Sequence, residues 1–162
     1  MAPPETELPD DPAERVRVIL DRVLAALEID AEIEVDEGAE SIDARIEGEG
    51  EELGILIGRR GQTIDALQLV CYRAAYRGGD QERKRVTVDA AGYRERRREI
   101  LERQADRAAE RALKTGNPFD LEPMSAQERR VVHNHLKERS GVETYSQGDE
   151  PDRFVVVAPL VE

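Results

Sequence analysis

The residues with the clearest capacity for binding chemistry are two arginines enclosed by two glycines: Gly58, Arg59, Arg60 and Gly61. They follow the aliphatic run LGILI and come directly before a helical pattern that starts at Gln62. Glycine lets the backbone approach a ligand that a Cβ atom would keep away, and the first turn of a helix has unpaired N–H groups that favour anions. We call this segment the GRRG turn and predict that it clamps a phosphate. A tight turn with solvated arginines is the competing interpretation.

A second pair of candidate binding residues, Arg129 and His133, is spaced four residues apart in a predicted helix. This spacing places both side chains on one face of the helix, one turn apart. A guanidinium is always charged, whereas an imidazole can donate, accept or become charged at about pH 6.5. A phosphate or a ribose hydroxyl could lie between the two side chains. A surface helix with an incidental histidine would show the same spacing.

The charge of the chain is unevenly distributed. The net charge is -12, but residues 58–115 carry 15 Lys/Arg against 9 Asp/Glu, whereas residues 1–57 carry 4 against 18. An acidic protein as a whole is a poor ligand for a polyanion. Screening, however, limits interactions between exposed charges to about 8 to 10 Å at physiological salt, so a basic middle segment can act locally.

The sequence offers few residues suited to catalysis or metal binding. Cys71 is the single cysteine and only two histidines occur, which argues against an internal disulfide and a structural zinc site. Cys71 lies in an apolar helical stripe and is predicted to be a small buried residue. The chain has neither a Walker-type lysine motif nor a nucleophile elbow. We predict no enzyme activity, no catalytic residue, no metal and no cofactor.

The ends and the hydropathy of the chain bear on its location. No apolar run approaches membrane-spanning length, and the N-terminal sequence MAPPETELPDDPAE is acidic, unlike a signal peptide. We therefore expect no membrane insertion and a cytoplasmic protein. Residues 1–11, with three prolines and several acids, are predicted to form a disordered acidic tail.

Residues 12–91 are predicted to form a first domain with mixed helices and strands. Asp11, Pro12 and Glu14 form a helix-start signal. Alternating apolar residues predict strands around Ile33 and Ile42, and a third around Val86. A short helix is expected over 49–56 and a longer one over 62–77, the latter with four inward residues: Ile64, Leu67, Cys71 and Ala74.

Residues 92–162 are predicted to form a second α+β domain. A long helix ends near Gly116, and its predicted apolar stripe comprises Ile100, Leu101, Ala105, Ala108, Ala112 and Leu113. Ser125 and Glu128 form a capping-box signal for another helix, and the segments VETYS and RFVVVAP read as closing strands. The arginine-rich helix from Arg94 to Lys114 is predicted to present a solvated face rather than a nucleic-acid track over its whole length. The predicted exception is the group that crowds one turn at its start: Arg94, Arg96, Arg97 and Arg98.

The element order of the first domain, with the GRRG turn between its last two helices, resembles that of a type II KH domain. In such domains a G-x-x-G loop clamps about four backbone nucleotides of a single strand. The resemblance implies that the GRRG turn is this clamp. It also makes the aliphatic residues Ile57, Ile64 and Leu67 candidates for a groove that receives bases.

The sequence EPMSAQERRVVHNHL and the two closing strands resemble the single-strand-binding domain named for its Arg-x-x-x-His motif, the R-3-H domain. A type II KH domain followed by an R-3-H domain resembles the bacterial Jag or KhpB family, the SpoIIIJ-associated RNA-binding proteins. The resemblance implies that Arg129 and His133 are the motif pair. It also makes Arg130 and Arg153 candidate phosphate contacts.

The resemblance implies a single-stranded RNA-binding protein, with single-stranded DNA as another candidate ligand. Such a protein would regulate bacterial messenger or small RNA after transcription, as an RNA chaperone or regulator, with a role in growth, envelope or cell-shape control. The alternative function is a protein-interaction scaffold that pairs with a small single-KH-domain protein. In that case the acidic first helix and strands would form the docking face.

Overall fold

The computed structural model of the protein describes residues 8–49, 51–78 and 82–160. The chain divides into two compact units, with the division between Tyr93 and Arg94, two residues after the predicted boundary at 91. Residues 1–7 of the predicted acidic tail lie outside the described residues. In the described part of that segment, the carbonyl of Pro9 accepts a hydrogen bond from Nε of Arg15, and Asp11 caps the first helix.

The first unit contains a three-stranded mixed sheet. Its strands are β1 (Glu32–Glu37), β2 (Ser41–Glu47) and β3 (Arg85–Ala90), arranged in the order β1-β2-β3. β1 and β2 are antiparallel, and β2 and β3 are parallel. The parallel pair requires a long connection from β2 to β3, and this connection carries two helices and the GRRG turn.

Three helices accompany this sheet: α1 (Pro12–Ala26), α2 (Leu53–Ile57) and α3 (Gln62–Ala75). The Asp11 carboxylate accepts a 2.8 Å hydrogen bond from the amide of Glu14, which confirms the predicted start of α1. α2 starts at Leu53, later than the predicted residue 49. In α3, Ala75 is fully buried and Ala74 only half-buried, so the prediction of Ala74 as the inward residue was wrong by one position.

Apolar residues from α1, α2, α3 and all three strands form one hydrophobic core in the first unit. Cys71 belongs to it, as predicted, and burial raises the pKa of its thiol to about 12. The largest fully buried side chains of this core are Leu20, Ile42, Ile46, Leu56 and Ile64.

The second unit consists of two helices and an antiparallel sheet. The helices are α4 (Tyr93–Thr115), which begins at the last residue of the first unit, and α5 (Ala126–Leu136). The strands are β4 (Phe119–Asp120), β5 (Val142–Gln147) and β6 (Phe154–Pro159), with β6 in the centre. The two-residue strand β4 was not predicted. The predicted capping box of α5 is confirmed, because Ser125 and Glu128 exchange both side-chain-to-backbone hydrogen bonds.

The inward face of α4 is lined mainly by alanine, and it packs with α5 and the sheet. Two predicted core positions, Ile100 and Leu113, are exposed, because they flank the buried row instead of belonging to it. The buried residues of α4 are Leu101, Ala105, Ala108, Ala109 and Ala112. The prediction of a mixed α+β architecture is confirmed for the described residues of both units.

The described residues contain neither a helix that is long and apolar enough to cross a bilayer nor three His, Cys, Asp or Glu side chains grouped to hold a metal ion.

Candidate nucleic-acid interface

The GRRG turn begins where α2 ends, at Gly58. Gly58 has φ +70°, and its amide donates a 2.9 Å hydrogen bond to the carbonyl of Gly54. A Cβ atom at Gly58 would lie 2.0 Å from Oγ1 and 2.7 Å from Cβ of Thr63 in the first turn of α3. Glycine is therefore required at this position for two reasons. The backbone has a positive φ, and Thr63 fills the space that a side chain would need.

Gly61, at the other end of the turn, is required for the same two reasons. It has φ +77°, and a Cβ atom there would lie 2.7 Å from Cε1 and 2.8 Å from Oη of Tyr93. Its own amide donates to the carbonyl of Gly58 at 3.3 Å, which closes a single 3-10 turn over Arg59–Gly61. The turn is thus held between α3 on one side and Tyr93 on the other.

The two arginines of the turn are exposed, whereas Gly61 is buried. Arg60 has φ +54°, a left-handed conformation that is unusual for a residue with a side chain. Gly61 is the N-cap of α3 and offers no side chain to accept from the first N–H groups of the helix. Two exposed arginines therefore directly precede a helix N-terminus, where the helix dipole favours an anion.

The predicted base-receiving groove is not available as the sequence suggested. Ile64 and Leu67 are buried in the core of the first unit, so a base could contact them only after the core opened. Ile57 is half-buried, and the neighbouring Ile55 on α2 is exposed. Ile55 is an exposed apolar residue of α2 that the sequence reasoning did not name. Its two-residue spacing from Ile57 was the available signal, since residues two apart in a helix lie on different faces.

In the second unit, Arg129 is directed into the unit rather than presented to solvent. Its Nη1 donates to the carbonyl of Met124 at 2.8 Å, and its Nη2 donates to Oε1 of Glu150 at 2.6 Å. Its side chain is 9% exposed, whereas that of Glu150 is 58% exposed. The expectation of a phosphate simply lying between Arg129 and His133 must therefore be corrected, because a carboxylate already occupies the solvent side of this guanidinium.

His133 connects α5 to β5. Its Nδ1 lies 2.7 Å from Oγ1 of Thr144, and its Nε2 lies 3.0 Å from Oγ of Ser146. Burial lowers the pKa of His133, and the positive charge of Arg129 lowers it further. Sequence reasoning missed both hydroxyls, although residues two apart in a strand share a face, which was the available signal.

The remaining two predicted site residues differ in exposure. Arg130 lies on α5 and is exposed, whereas Arg153 is half-buried. Within the described residues, Nε of Arg153 is buried and has no hydrogen-bond partner. The Arg153 carbonyl accepts from the amide of Met124 at 3.1 Å, and the Met124 carbonyl accepts from Arg129. Met124 thus joins Arg153 to Arg129, whereas Arg130 stands apart from this group.

Two arginines near the start of α4 are paired with acids. Nε of Arg97 lies 2.6 Å from Oε1 of Glu128, and Nε of Arg98 lies 2.9 Å from Oε1 of Glu102. The Arg97 pair is largely buried, so it ties α4 to the capping-box glutamate of α5. Two of the four arginines that were predicted as the exception to a solvated face are therefore paired with acids inside the second unit.

The order of elements and the two motifs define a two-domain protein, with a type II KH domain followed by an R-3-H domain. The family model described as the KH domain of KhpA/KhpB matches residues 13–88, and the R-3-H domain model matches residues 99–159. The chain belongs to the bacterial KhpB (Jag) family, as the resemblance indicated.

Three relatives illustrate this similarity, each named RNA-binding protein KhpB. The protein of Clostridium symbiosum is 35% identical over 139 residues, which cover 86% of this chain and 62% of the relative. The protein of Bacillus subtilis strain 168 is 34% identical over 150 residues, covering 91% and 71%. The protein of Streptococcus pneumoniae strain D39 is 32% identical over 145 residues, covering 90% and 43%. The chain thus spans about two thirds of the first two relatives and less than half of the third.

Proposed function

We propose that the protein binds single-stranded RNA, with the GRRG turn as a clamp on the phosphate backbone. The observation that carries the proposal is the pair of exposed arginines at a helix N-terminus, on a turn whose two glycines pack against Thr63 and Tyr93. Affinity for a polyanion comes largely from Lys and Arg that neutralise phosphates. The names of the relatives support the same ligand class.

A charge-reversal experiment tests this function. The double variant R59D/R60D is chosen because aspartate tolerates the left-handed backbone of Arg60 better than most residues. We expect its affinity for a fluorescent single-stranded RNA to fall at least about tenfold, because two phosphate contacts become repulsive. The circular dichroism spectrum should not change.

The matched control is R83D/R85D, which reverses two exposed arginines of the same unit. Arg85 is the first residue of β3, and Ala90 is the last. The strand separates them by about 16 Å. The segment that leads to Tyr93 follows Ala90. The control should retain the affinity of the unchanged protein. Equal affinities of the two double variants would contradict the clamp. In a separate experiment, competition with single-stranded DNA of the same base sequence measures the preference for RNA.

The physiological role that we propose is regulation of bacterial messenger or small RNA after transcription, including RNA chaperone activity, in the cytoplasm. A contribution to growth and cell shape would follow from the messages that are bound. Crosslinking of the tagged protein to cellular RNA, followed by sequencing of the fragments, tests this role. Fragments recovered only in proportion to total RNA abundance would contradict a regulatory role.

A second candidate function, pairing with a small single-KH-domain protein, is favoured by the outer face of α3. Leu69 is 55% exposed and Val70 is 51% exposed, and the exposed Ala66 and Arg73 lie on the same helical face. This apolar face is a better docking surface than the acidic α1 and strands suggested by the sequence, because burial of apolar area stabilises association.

Sedimentation of the purified proteins after nuclease treatment tests this pairing. L69K/V70K should abolish a complex with a small KH protein, whereas L27K, a change at an exposed leucine just after α1, should retain it. A complex that survives L69K/V70K, or that disappears on nuclease treatment, would contradict pairing through α3.

A further inference from the structure

The Arg129 guanidinium has two acceptors, and they differ in character. The Met124 carbonyl is an internal backbone group at 2.8 Å, whereas the Glu150 carboxylate comes from the loop between β5 and β6 at 2.6 Å. Because Arg129 is 9% exposed and Glu150 is 58% exposed, the carboxylate lies on the solvent side of the pair. An anion that approaches Arg129 from solvent therefore meets the Glu150 carboxylate first.

A carboxylate and a phosphate present the same chemistry to a guanidinium. Both accept short, charge-assisted hydrogen bonds, and both fit its planar fork of N–H donors. A buried guanidinium that lost its carboxylate and gained nothing would be left uncompensated, which is strongly unfavourable. A phosphate can therefore reach Arg129 only by exchange, in which it takes over the position of the carboxylate as Glu150 turns to water.

In the part of the chain that the structure describes, a second observation is an unpaired donor on a residue linked to Arg129. Nε of Arg153 is buried without a hydrogen-bond partner within the described residues, and the Arg153 backbone is joined to Arg129 through Met124. A buried donor without an acceptor is costly. A phosphate has more acceptor oxygens than a carboxylate, and Nε of Arg153 is a donor of this hydrogen-bonded group that Glu150 does not pair.

We propose that Glu150 is an internal competitor for a phosphate site on Arg129, and that it determines which ligands the second unit binds. This inference rests on the proposed RNA-binding function and adds to it the residue that opposes binding. Ligands with closely spaced phosphates displace the carboxylate, whereas weaker monoanions do not.

The experiment compares E150Q with D149N in the full chain, by titration with a fluorescent single-stranded RNA. Glutamine at 150 keeps an oxygen that can accept from Arg129 but removes the charge, and D149N removes the same charge from the adjacent exposed residue. We expect E150Q to tighten binding by about threefold to fivefold, the upper part of the range for weakening one partly exposed ion pair. D149N should stay within about twofold of the unchanged protein.

Thermal unfolding of both variants verifies that the second unit stays folded. If E150Q bound RNA no more tightly than D149N, the inference would be overturned. The proposed function would still stand in that case, provided that the unchanged protein binds RNA. If the unchanged protein bound no RNA, the proposed function would fail separately. The same two variants would then be titrated with inorganic tripolyphosphate, where tighter binding by E150Q supports the competitor and equal binding overturns it.

Discussion

Thr63 fills the position that a side chain on Gly58 would need. A Cβ atom on Gly58 would lie 2.0 Å from Oγ1 of Thr63, a separation that the two residues could not keep. The first turn of α3 therefore constrains the backbone path of the GRRG turn at Gly58.

The stability of the first unit should reflect this contact. We expect G58A to lower the free energy of unfolding by about 2 to 4 kcal/mol, because it adds a steric clash to the strain of a left-handed alanine. The matched change G78A, at φ +77° with no atom within 4 Å of a built Cβ, should cost only about 1 kcal/mol. Urea unfolding of both variants measures the difference, and equal losses would argue against the Thr63 contact.

RNA binding should weaken with salt in proportion to the phosphates that are neutralised. For single strands, the plot of log K against log salt concentration falls by about 0.7 for each phosphate contact. We expect R59Q/R60N to reduce the magnitude of this slope by about 1.4, because two contacts are lost. R83Q/R85Q, its matched control, should leave the slope unchanged. A slope that responds equally to both pairs would indicate a diffuse attraction rather than a clamp.

Adjacent arginines of α5 should have different effects on stability. R129M removes the donor of the Met124 carbonyl, so we expect the second unit to lose about 1 to 3 kcal/mol. R130M changes an exposed residue and should alter stability by less than about 0.5 kcal/mol. Chemical denaturation followed through amide resonances of β6 distinguishes them. If R129M lost as little stability as R130M, Arg129 would have no structural role.

The second unit should lose stability as the pH falls through the range of histidine titration. The pKa of His133 is lowered in the folded unit, so the unfolded chain takes up the proton first as the pH falls below about 6.5. This contribution is present above that pH and is lost as the pH falls through the folded pKa. Urea midpoints at pH 8 and pH 5.5 should differ less in H133Q than in the unchanged protein. An equal pH dependence in H133Q would contradict the burial of a neutral imidazole.

Much of the fold could be predicted because the local signals are strong. Asp11 and Ser125 each cap the helix that the sequence indicated, since a cap depends on residues only a few positions apart. Alternation likewise identified β2 and β3, where one face is buried. The GRRG turn was predictable for the same reason, because its two glycines indicate a backbone with positive φ angles.

The rest could not be predicted because it depends on partners distant in the sequence. Helical spacing correctly places Arg129 and His133 on one face, but it does not reveal that Glu150 and the strand β5 lie opposite that face. Similarly, the stripes of α3 and α4 have the right period, yet which side of each stripe is buried depends on the neighbouring elements. This explains the errors at Ala74 and Ile100.

The most direct test of the clamp is a titration of the 15N-labelled full chain with a short single-stranded RNA at low ionic strength. The account predicts that the amide resonances of Arg59, Arg60, Gly61 and Gln62 shift or broaden first and most strongly. Those resonances staying unmoved at saturating RNA would contradict the central claim, whatever the rest of the chain does.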